Sequence, residues 1–150
     1  MKEFFISIGS NIDPQNNVPR CIELLKLVFP GTRFSTVYET EPVGPSGKNK
    51  FWNLCAAIPA SLPAADLQKK LRDIEEKLGR IRDPKNKFAA RVIDADILPQ
   101  PGYTEQAFIM IPLAEIAPGE KDPASGKTFR ELAEKLRGQA ASFKIAGDRP

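Results

Sequence analysis

The alternation of hydrophobic and polar residues predicts four strands. Residues 4–8 form a short apolar run that ends at a Gly-Ser-Asn turn, which indicates a first strand. Residues 33–40 alternate in the manner of a half-buried strand. Apolar residues return at 51–59 and again at 92–98. Each of these segments has a length typical of a strand.

Between the first and second predicted strands, the apolar residues have the spacing of a helix. Cys21, Leu24 and Val28 lie beside a face formed by Ile22, Leu25 and Phe29. Proline is tolerated in the first turn of a helix but not in its interior. Pro19 therefore predicts that this helix begins near Asn17 and ends before Pro30-Gly31.

A second and stronger helical pattern covers residues 64–78. Its start is marked by Pro63 and its end by Gly79, a residue type favoured just past a helix C-terminus. The apolar residues of its buried face are spaced four, three and four apart: Leu67, Leu71, Ile74 and Leu78.

The order strand, helix, strand, strand, helix, strand predicts an α+β fold of the ferredoxin-like βαββαβ type. Such a fold has an antiparallel sheet with both helices on one face. Beyond Pro99 we expect an apolar segment at 108–111, a short helix near 113–116 and a helix at 129–136. Residues 138–150 read as a flexible tail. The whole chain of 150 residues fits one domain.

Two polar loops interrupt this pattern. Residues 41–50 contain two prolines and two glycines, and loops of this length in compact domains are usually functional or disordered. Residues 80–91 carry Arg80, Arg82, Lys85, Lys87 and Arg91 against Asp83 alone, a local charge of +4. We expect both loops to be mobile without ligand and to close over a bound nucleotide.

Composition narrows the chemistry. Hydrophobic residues at 41% and charged residues at 27% are ordinary globular values, and a net charge of +3 does not suggest a nucleic-acid partner. Two cysteines without metal-type spacing, no signal peptide and no membrane-length segment favour the cytoplasm, and predict that both thiols are simply buried. The chain has no histidine, which excludes the usual general base and zinc ligand. Phosphoryl transfer, which depends on positioning and charge neutralisation, fits this restriction.

Asp94 and Asp96 are the strongest candidates for metal binding. Side chains two apart in a strand share a face, so the two carboxylates repel each other unless a cation lies between them. Mg²⁺ takes one or two carboxylates and completes its shell with water and phosphate oxygens. The plainer alternative is a pair of solvated aspartates near a strand end. The cationic loop just before them favours a metal–triphosphate site over that alternative.

Phe51, Trp52 and Asn53 suggest a site for a planar heterocycle. A ring could stack on an aromatic side chain while the Asn53 amide bonds its edge. The alternative is an ordinary aromatic strand start. There is no P-loop motif, so a P-loop enzyme is excluded.

Taken in order along the chain, these pieces resemble the 6-hydroxymethyl-7,8-dihydropterin pyrophosphokinase family of the folate pathway. The resemblance runs from about Phe4 to Leu136. Its motifs are Ile8-Gly9-Ser10-Asn11, Tyr38-Glu39-Thr40-Glu41-Pro42-Val43-Gly44-Pro45, Phe51-Trp52-Asn53, Ile74-Glu75, Gly79-Arg80-Ile81-Arg82, Arg91-Val92-Ile93-Asp94-Ala95-Asp96-Ile97 and Pro112-Leu113-Ala114-Glu115-Ile116-Ala117-Pro118.

The resemblance implies that ATP donates its pyrophosphate to the pterin hydroxymethyl group and leaves as AMP. It places two Mg²⁺ ions on Asp94 and Asp96. The residues implied for phosphate and catalysis are Arg80, Arg82 and Arg91, with Lys87, Glu75 and Gln100 added on the ATP side. Those implied for pterin are Gly9, Thr40, Val43, Phe51, Asn53, Phe108 and, in place of a loop tryptophan, Phe88. The expected partners are ATP and the pterin, with no membrane and no nucleic acid, on a monomer or weak homodimer.

The sequence also departs from the family pattern. Gln100 replaces a histidine and Gln106 an arginine near the phosphates, which removes positive charge, and Glu41 replaces a proline beside the pocket. After Asp96 the chain lacks a hairpin's worth of residues that in the family helps to hold adenine. Three hypotheses stay open: an active pyrophosphokinase with a trimmed adenine side, a pterin- or nucleotide-binding relative without efficient transfer, and an enzyme with another acceptor or nucleotide.

Overall fold

A computed structural model describes residues 1–41, 50–79 and 92–146 of the chain. The strands in these parts are β1 (Lys2–Ser10), β2 (Arg33–Phe34), β3 (Tyr38–Thr40), β4 (Phe51–Ala60), β5 (Asp94–Ile97) and β6 (Lys144–Ile145). The helices are α1 (Pro14–Val28), α2 (Ala64–Lys77), α3 (Ala107–Ile116) and α4 (Phe129–Glu134), with short 3₁₀ turns at Tyr103–Glu105 and Gln139–Ser142.

The strands form one antiparallel sheet in the order β5-β1-β4-β3-β6, and β2 also pairs with β4. The long strands β1 and β4 form its centre, with Lys2 opposite Ala60 and Ser10 opposite Trp52. Because the unit β4-α2-β5 places β4 between β1 and β3 and places β5 outside β1, the topology is that of a split βαβ unit. The predicted ferredoxin-like α+β class is confirmed.

Helices cover both faces of this sheet. On one face α1 and α2 bury Leu25, Leu67 and Leu71 against Ile6 and Ile58. On the other face α3 and α4 pack on a second group of alternating strand residues that includes Phe5, Cys55 and Ala57. The prediction of two helices on one face holds for α1 and α2, and the C-terminal helices add a third layer.

The prediction for α1 was wrong about its start and about Pro19. The helix begins with Pro14 in its first turn, and the Asp13 carbonyl accepts the first backbone hydrogen bonds from Asn16 and Asn17. Pro19 therefore lies inside the helix, where it donates no hydrogen bond to the preceding turn. Burial of the same helical face against the sheet offsets that loss.

The segment 33–40 is two strands and not one. Between β2 and β3 the hydroxyl of Ser35 accepts a hydrogen bond from the Cys55 amide at 2.9 Å and donates one to the Thr36 carbonyl at 2.9 Å. A side-chain oxygen thus replaces a ladder carbonyl at this point. An alternation pattern does not report such a substitution.

Residues 107–116 form a single helix, α3, where we expected an apolar segment followed by a short helix. Its interior contains Pro112, which in sequence marks a break. Six of its ten residues are buried, so packing against the sheet outweighs the missing hydrogen bond. The predicted helix at 129–136 ends at Glu134.

The segment after Gly138, for which the sequence predicts a flexible tail, contains a 3₁₀ turn and the strand β6. β6 pairs with β3, with Tyr38 opposite Ile145, and the Ala146 amide donates to the Val37 carbonyl at 2.8 Å. The two residues of β6 are too few to show an alternation that could have predicted a strand.

The boundaries of the remaining predicted elements are close to those observed. The helix predicted at 64–78 is α2, and Gly79 after it has the left-handed φ of 94°. The strand predicted at 92–98 is limited to the four residues of β5. Both cysteines are free and buried as expected, and burial raises the pKa of Cys21 to about 12. In the parts of the chain described, no helix is long and apolar enough to cross a bilayer.

Candidate active site

Four residues from four strands form one row across the sheet. Asp94 pairs with Gly9, Gly9 pairs with Asn53, and Asn53 pairs with Tyr38. Adjacent strands are about 5 Å apart, so Asp94 and Asn53 are separated by about 10 Å along this row. Directly paired residues point to the same face, and here it is the α3 face. The register therefore brings the predicted metal side and the predicted pterin side together.

Asn53 is the centre of the group that the sequence predicts to bind pterin. Its amide nitrogen donates to Thr40 Oγ1 at 2.6 Å, and both side chains are buried. Its Oδ1 faces Gly9, where an added Cβ would lie 2.8 Å from that oxygen. The same Cβ would lie 3.8 Å from the Phe51 ring. Gly9, Thr40, Phe51 and Asn53 are thus one cluster, in which the glycine is required by close approach.

Phe108 lies in the first turn of α3, the helix that packs on β4. The next residue, Ile109, accepts a contact from Cys55 Sγ at 3.4 Å through its carbonyl oxygen, and Cys55 lies two residues after Asn53 on β4. Phe108 itself is partly buried against the second core. The helix therefore carries an aromatic ring on the same side of the sheet as Asn53.

Asp94 and Asp96 are held partly exposed on the edge strand β5, with 15% and 32% of their side-chain surface accessible. Burial and, next, the negative charge of Asp94 raise the pKa of Asp96, while the hydrogen bond from Arg72 opposes them. Ser10 secures the start of this strand, since its hydroxyl donates to the Val92 and Ile12 carbonyls. Two close carboxylates whose charges raise each other's energy are a favourable place for a cation.

Arg72 of α2 is a site residue that the sequence analysis missed. Its guanidinium bonds both carboxylate oxygens of Glu75, the Ala95 carbonyl at 3.0 Å and Asp96 Oδ1 at 3.0 Å, and lies 3.9 Å from Asp94 Oδ1. A signal was present: Glu75 follows Leu71 by four residues and precedes Leu78 by three, so it lies on the apolar face of α2. A carboxylate on such a face requires a partner, and Arg72 is one turn away.

Glu75 and Gln100, both predicted on the ATP side, lie in different surroundings. Only 1% of the Glu75 side chain is exposed, so it lies behind the surface and holds Arg72 instead of facing a nucleotide. Gln100 is exposed, and its amide nitrogen donates to the Ile97 carbonyl at 2.9 Å. Gln100 thereby closes the turn that follows β5.

An open cleft of about 620 Å³ begins at this turn. Its walls come from the start of β1, the first turns of α2, the end of β5 and the 120–123 turn. The part at the end of β5 is lined by Gln68, Ile97, Leu98, Pro99 and Gln100. Apolar side chains with two amide groups at the rim suit a planar, partly polar ring.

The carboxylate pair fits magnesium. Asp94 and Asp96 supply hard oxygen ligands that are partly open to solvent, as an ion that keeps waters and phosphate oxygens requires. Among the residues that the structure describes, there is no group of three or more histidine, cysteine or acidic side chains arranged as a closed metal cage. The site therefore suits an ion that arrives with its own oxygen ligands.

Several predicted site residues lie outside the described ranges. They are Val43 of the first polar loop and Arg80, Arg82, Lys87, Phe88 and Arg91 of the cationic loop. The expected motion of both loops concerns the same residues. The described residues on either side of the cationic loop are Gly79, which follows α2, and Val92, which precedes β5.

Comparison with known proteins gives a consistent result. Residues 5–118 match the family model for 7,8-dihydro-6-hydroxymethylpterin-pyrophosphokinase. A 2-amino-4-hydroxy-6-hydroxymethyldihydropteridine pyrophosphokinase of Synechocystis sp. is 33% identical over 148 residues, which cover 87% of this chain and 74% of that protein. The enzyme of the same name from Bacillus subtilis is 32% identical over 145 residues, covering 85% and 86% of the two chains.

Solved structures agree on the fold. The Plasmodium falciparum HPPK-DHPS structure with pteroate superposes with a TM-score of 0.71 at 12% identity, covering 92% of this chain. The chain spans less than half of that longer protein, 43% of its length. At this identity the similarity concerns the fold alone.

Proposed function

This chain belongs to the 7,8-dihydro-6-hydroxymethylpterin-pyrophosphokinase family, and we propose that it transfers pyrophosphate from ATP to 6-hydroxymethyl-7,8-dihydropterin in folate biosynthesis. In this reaction the pterin hydroxymethyl oxygen attacks the β-phosphorus of ATP. The bond between that phosphorus and the oxygen bridging it to the α-phosphorus breaks, and AMP leaves. The products are the pterin diphosphate and AMP.

The observation that carries this proposal is the row Asp94–Gly9–Asn53. It joins an acidic pair to a buried amide and an aromatic ring across about 10 Å of sheet. The acceptor ring and the triphosphate must lie side by side for in-line transfer, and a separation of this size permits that. A rigid pair of central strands fixes it, so little ordering is needed when the substrates bind.

On the pterin side we assign recognition to Asn53 and Thr40, with stacking on Phe51 and Phe108. The Asn53 amide, oriented by Thr40, presents polar atoms to the edge of a flat ring. Aromatic side chains on β4 and α3 bound the space on either side of that edge. Gly9, Val43 and Phe88 complete the proposed pterin set.

On the phosphate side we assign Asp94 and Asp96 to two Mg²⁺ ions, which when bound neutralise the triphosphate and the charge that develops on transfer. Arg80, Arg82, Lys87 and Arg91 of the cationic loop are proposed to bind phosphate oxygens, since guanidinium forks match them in geometry. The chain contains no histidine, so proton removal from the hydroxymethyl group depends on a carboxylate or on water.

For the base of the nucleotide, the cleft beside Ile97 is the best candidate. It begins at the end of β5 and offers the amides of Gln68 and Gln100 with an apolar floor. We propose that adenine binds there, at a position that needs no hairpin after β5. The cytoplasm, where ATP is available and both buried thiols remain reduced, is the proposed compartment, with the chain acting as a monomer or weak homodimer.

The direct test measures AMP released from ATP in the presence of Mg²⁺ and the hydroxymethyl dihydropterin. We expect Asp96→Asn to lower kcat by at least about a hundredfold while pterin affinity changes little, because the carboxylate acts on the triphosphate. Asp73→Asn, which removes an exposed carboxylate of α2, is the matched control and should turn over normally. Wild-type protein that binds pterin but releases AMP no faster than the background reaction would refute the proposal.

A further inference from the structure

Arg72 places a permanent positive charge against the carboxylates assigned to magnesium. One guanidinium nitrogen bonds Glu75 and the Ala95 carbonyl, and the other bonds Asp96 at 3.0 Å. About a quarter of its side chain, 27%, remains exposed. The residue therefore has one side held by Glu75 and another side that faces the partly exposed carboxylates of Asp94 and Asp96.

A bare divalent cation meets a penalty at this pair. To bind both carboxylates it must approach the guanidinium, because Asp96 Oδ1 is already engaged and Asp94 Oδ1 lies 3.9 Å from the same group. A positive charge about 5 Å away repels the ion substantially even at an effective dielectric constant of about 20. If Arg72 turns away from Asp96, the guanidinium gives up an ion pair and nothing on the incoming ion replaces it.

A cation that arrives on a triphosphate meets no such penalty. Phosphate oxygens are good partners for a guanidinium fork, so Arg72 can exchange Asp96 for phosphate while Glu75 continues to hold it. The total charge also balances better, since the nucleotide brings several negative charges with the metal. The same residue thus opposes the free ion and accepts the complexed one.

We propose that Arg72 is a positioning residue that guards the Asp94–Asp96 pair against free divalent cations, so that magnesium binds there only together with the nucleotide. This inference rests on the proposed function, in which the pair binds magnesium. In this proposal a residue of α2 determines whether the carboxylate pair binds magnesium without nucleotide. Selectivity of this kind keeps the carboxylates available for the metal–nucleotide complex at cellular concentrations of free magnesium.

The test uses Mn²⁺ alone as the probe, with free ion counted by electron paramagnetic resonance in the absence of nucleotide. We expect Arg72→Gln to tighten Mn²⁺ binding by at least about tenfold relative to wild type, because a neutral amide neither repels the ion nor pairs with Asp96. Arg72→Lys keeps the charge and should stay within about threefold of wild type. Unchanged or weaker Mn²⁺ binding by Arg72→Gln would overturn the inference.

Two further variants make the result specific. Arg137 forms an ion pair with Glu134, three residues before it, and is exposed. Arg137→Gln should leave Mn²⁺ binding unchanged. Adding Asp96→Asn to Arg72→Gln should abolish the gain, which places the ion at the pair. If Arg72→Gln does not fold, the double variant Arg72→Gln/Glu75→Gln removes the buried ion pair as a unit and is titrated in its place.

A parallel titration with Mn²⁺ and a non-hydrolysable ATP analogue separates this inference from the proposed function. The arginine change should tighten binding of the complex far less than binding of the free ion, since phosphate partners Arg72 in the complex. If the Asp96→Asn variant binds the Mn²⁺–analogue complex as tightly as wild-type protein does, the assigned metal site is wrong and the inference is refuted with it. If that variant does weaken it while Arg72→Gln leaves free Mn²⁺ binding unchanged, only the role of Arg72 is refuted.

Discussion

The missing side chain at Gly9 lets the Asn53 amide lie against the central strand β1. A methyl group there would come within 2.8 Å of Asn53 Oδ1, which no relaxed contact allows. The amide would have to rotate away from Thr40 or the strands would have to separate. One hydrogen atom in place of a methyl group thus preserves the hydrogen bond that orients the pterin-side amide.

We therefore expect Gly9→Ala to weaken binding of the hydroxymethyl dihydropterin by at least about tenfold, which corresponds to about 1.4 kcal/mol. Overpacking of this kind also costs about 1–3 kcal/mol of stability. Ligand fluorescence titration and thermal unfolding measure the two effects. Gly119→Ala is the control, because an added Cβ there meets no atom within 4 Å. Pterin affinity equal to that of wild type would show that Asn53 is not oriented by this contact.

The residues that carry the site were predictable to different degrees. The shared face of Asp94 and Asp96 could be predicted, because a strand fixes which side chains point the same way. The contact between Gly9 and Asn53 was not foreseen, since it depends on which residues of β1 and β4 pair, and register follows from packing of the whole sheet. Arg72 was missed because on a helical wheel it looks like an ordinary solvated cation. Its role depends on β5 lying beside α2.

At the level of elements, Glu115 connects α3 to the break between β2 and β3. Its carboxylate accepts hydrogen bonds from the Thr36 amide at 2.5 Å, the Thr36 hydroxyl at 2.8 Å and the Tyr38 hydroxyl at 2.7 Å. These bonds satisfy polar groups at the point where β2 ends and β3 begins. The helix that bears Phe108 is thereby fixed relative to the strand that bears Thr40.

Replacing Glu115 by alanine should cost about 2–4 kcal/mol, because three partners lose an acceptor at a partly buried position. Urea unfolding followed by circular dichroism gives the free energy of unfolding. Glu134→Ala, which removes an exposed carboxylate from α4, should change it by less than about 0.5 kcal/mol. Equal losses for the two variants would contradict a special role for Glu115.

A second link between elements depends on pH. The Tyr103 hydroxyl donates to Asp122 at 2.8 Å and thereby joins the 3₁₀ turn to the turn before α4. This bond, with those from Ser125, lowers the pKa of Asp122. A carboxyl whose pKa is lower in the folded state stabilises the fold above its unfolded pKa of about 4 and loses that contribution as the pH falls through the folded value.

Asp122→Asn should accordingly reduce stability at pH 7 and reduce the loss of stability on acidification below about pH 4. Urea midpoints measured from pH 7 down to pH 2.5 for both proteins test this. Asp66→Asn in the first turn of α2 serves as a control for removal of a carboxylate. Parallel acid profiles for Asp122→Asn and wild type would exclude Asp122 as a contributor.

The sequence predicted an element correctly where the spacing of its apolar residues and the positions of proline and glycine indicate the same boundaries. α2 satisfies both conditions, with apolar residues on one face, Pro63 before it and Gly79 after it. α1 and α3 contain Pro19 and Pro112, so local chemistry predicted boundaries that burial against the sheet overrides. β6 consists of two exposed residues whose pairing depends on the free edge of β3, and no local pattern encodes that edge.

For the whole molecule, β6 brings residues 144–145 beside the strand that bears Thr40. It pairs with β3, whose last residue is Thr40. A chain that ends after Phe143 should therefore unfold at a lower temperature than one that ends after Ala146, by a few degrees, and should bind pterin more weakly. Differential scanning calorimetry and pterin titration of the two truncations provide the comparison. Identical behaviour would mean that β6 contributes nothing to the pocket.

The unequal lengths of the paired strands have a consequence for amide hydrogen exchange. β1 and β4 pair along nine residues at the centre of the sheet, while β5 pairs along four at its edge. The free energy needed to expose an amide is lower at a short edge strand than at a long central one. The amides of β5 should therefore exchange through local fraying, and those of Ile6 and Ile8 only through global unfolding. The carboxylates assigned to magnesium thus lie on a strand that should exchange faster than β1 and β4, and bound Mg²⁺–nucleotide should slow exchange in β5 far more than in β1. Exchange mass spectrometry of that one peptide would then report occupancy of the site without any measurement of turnover.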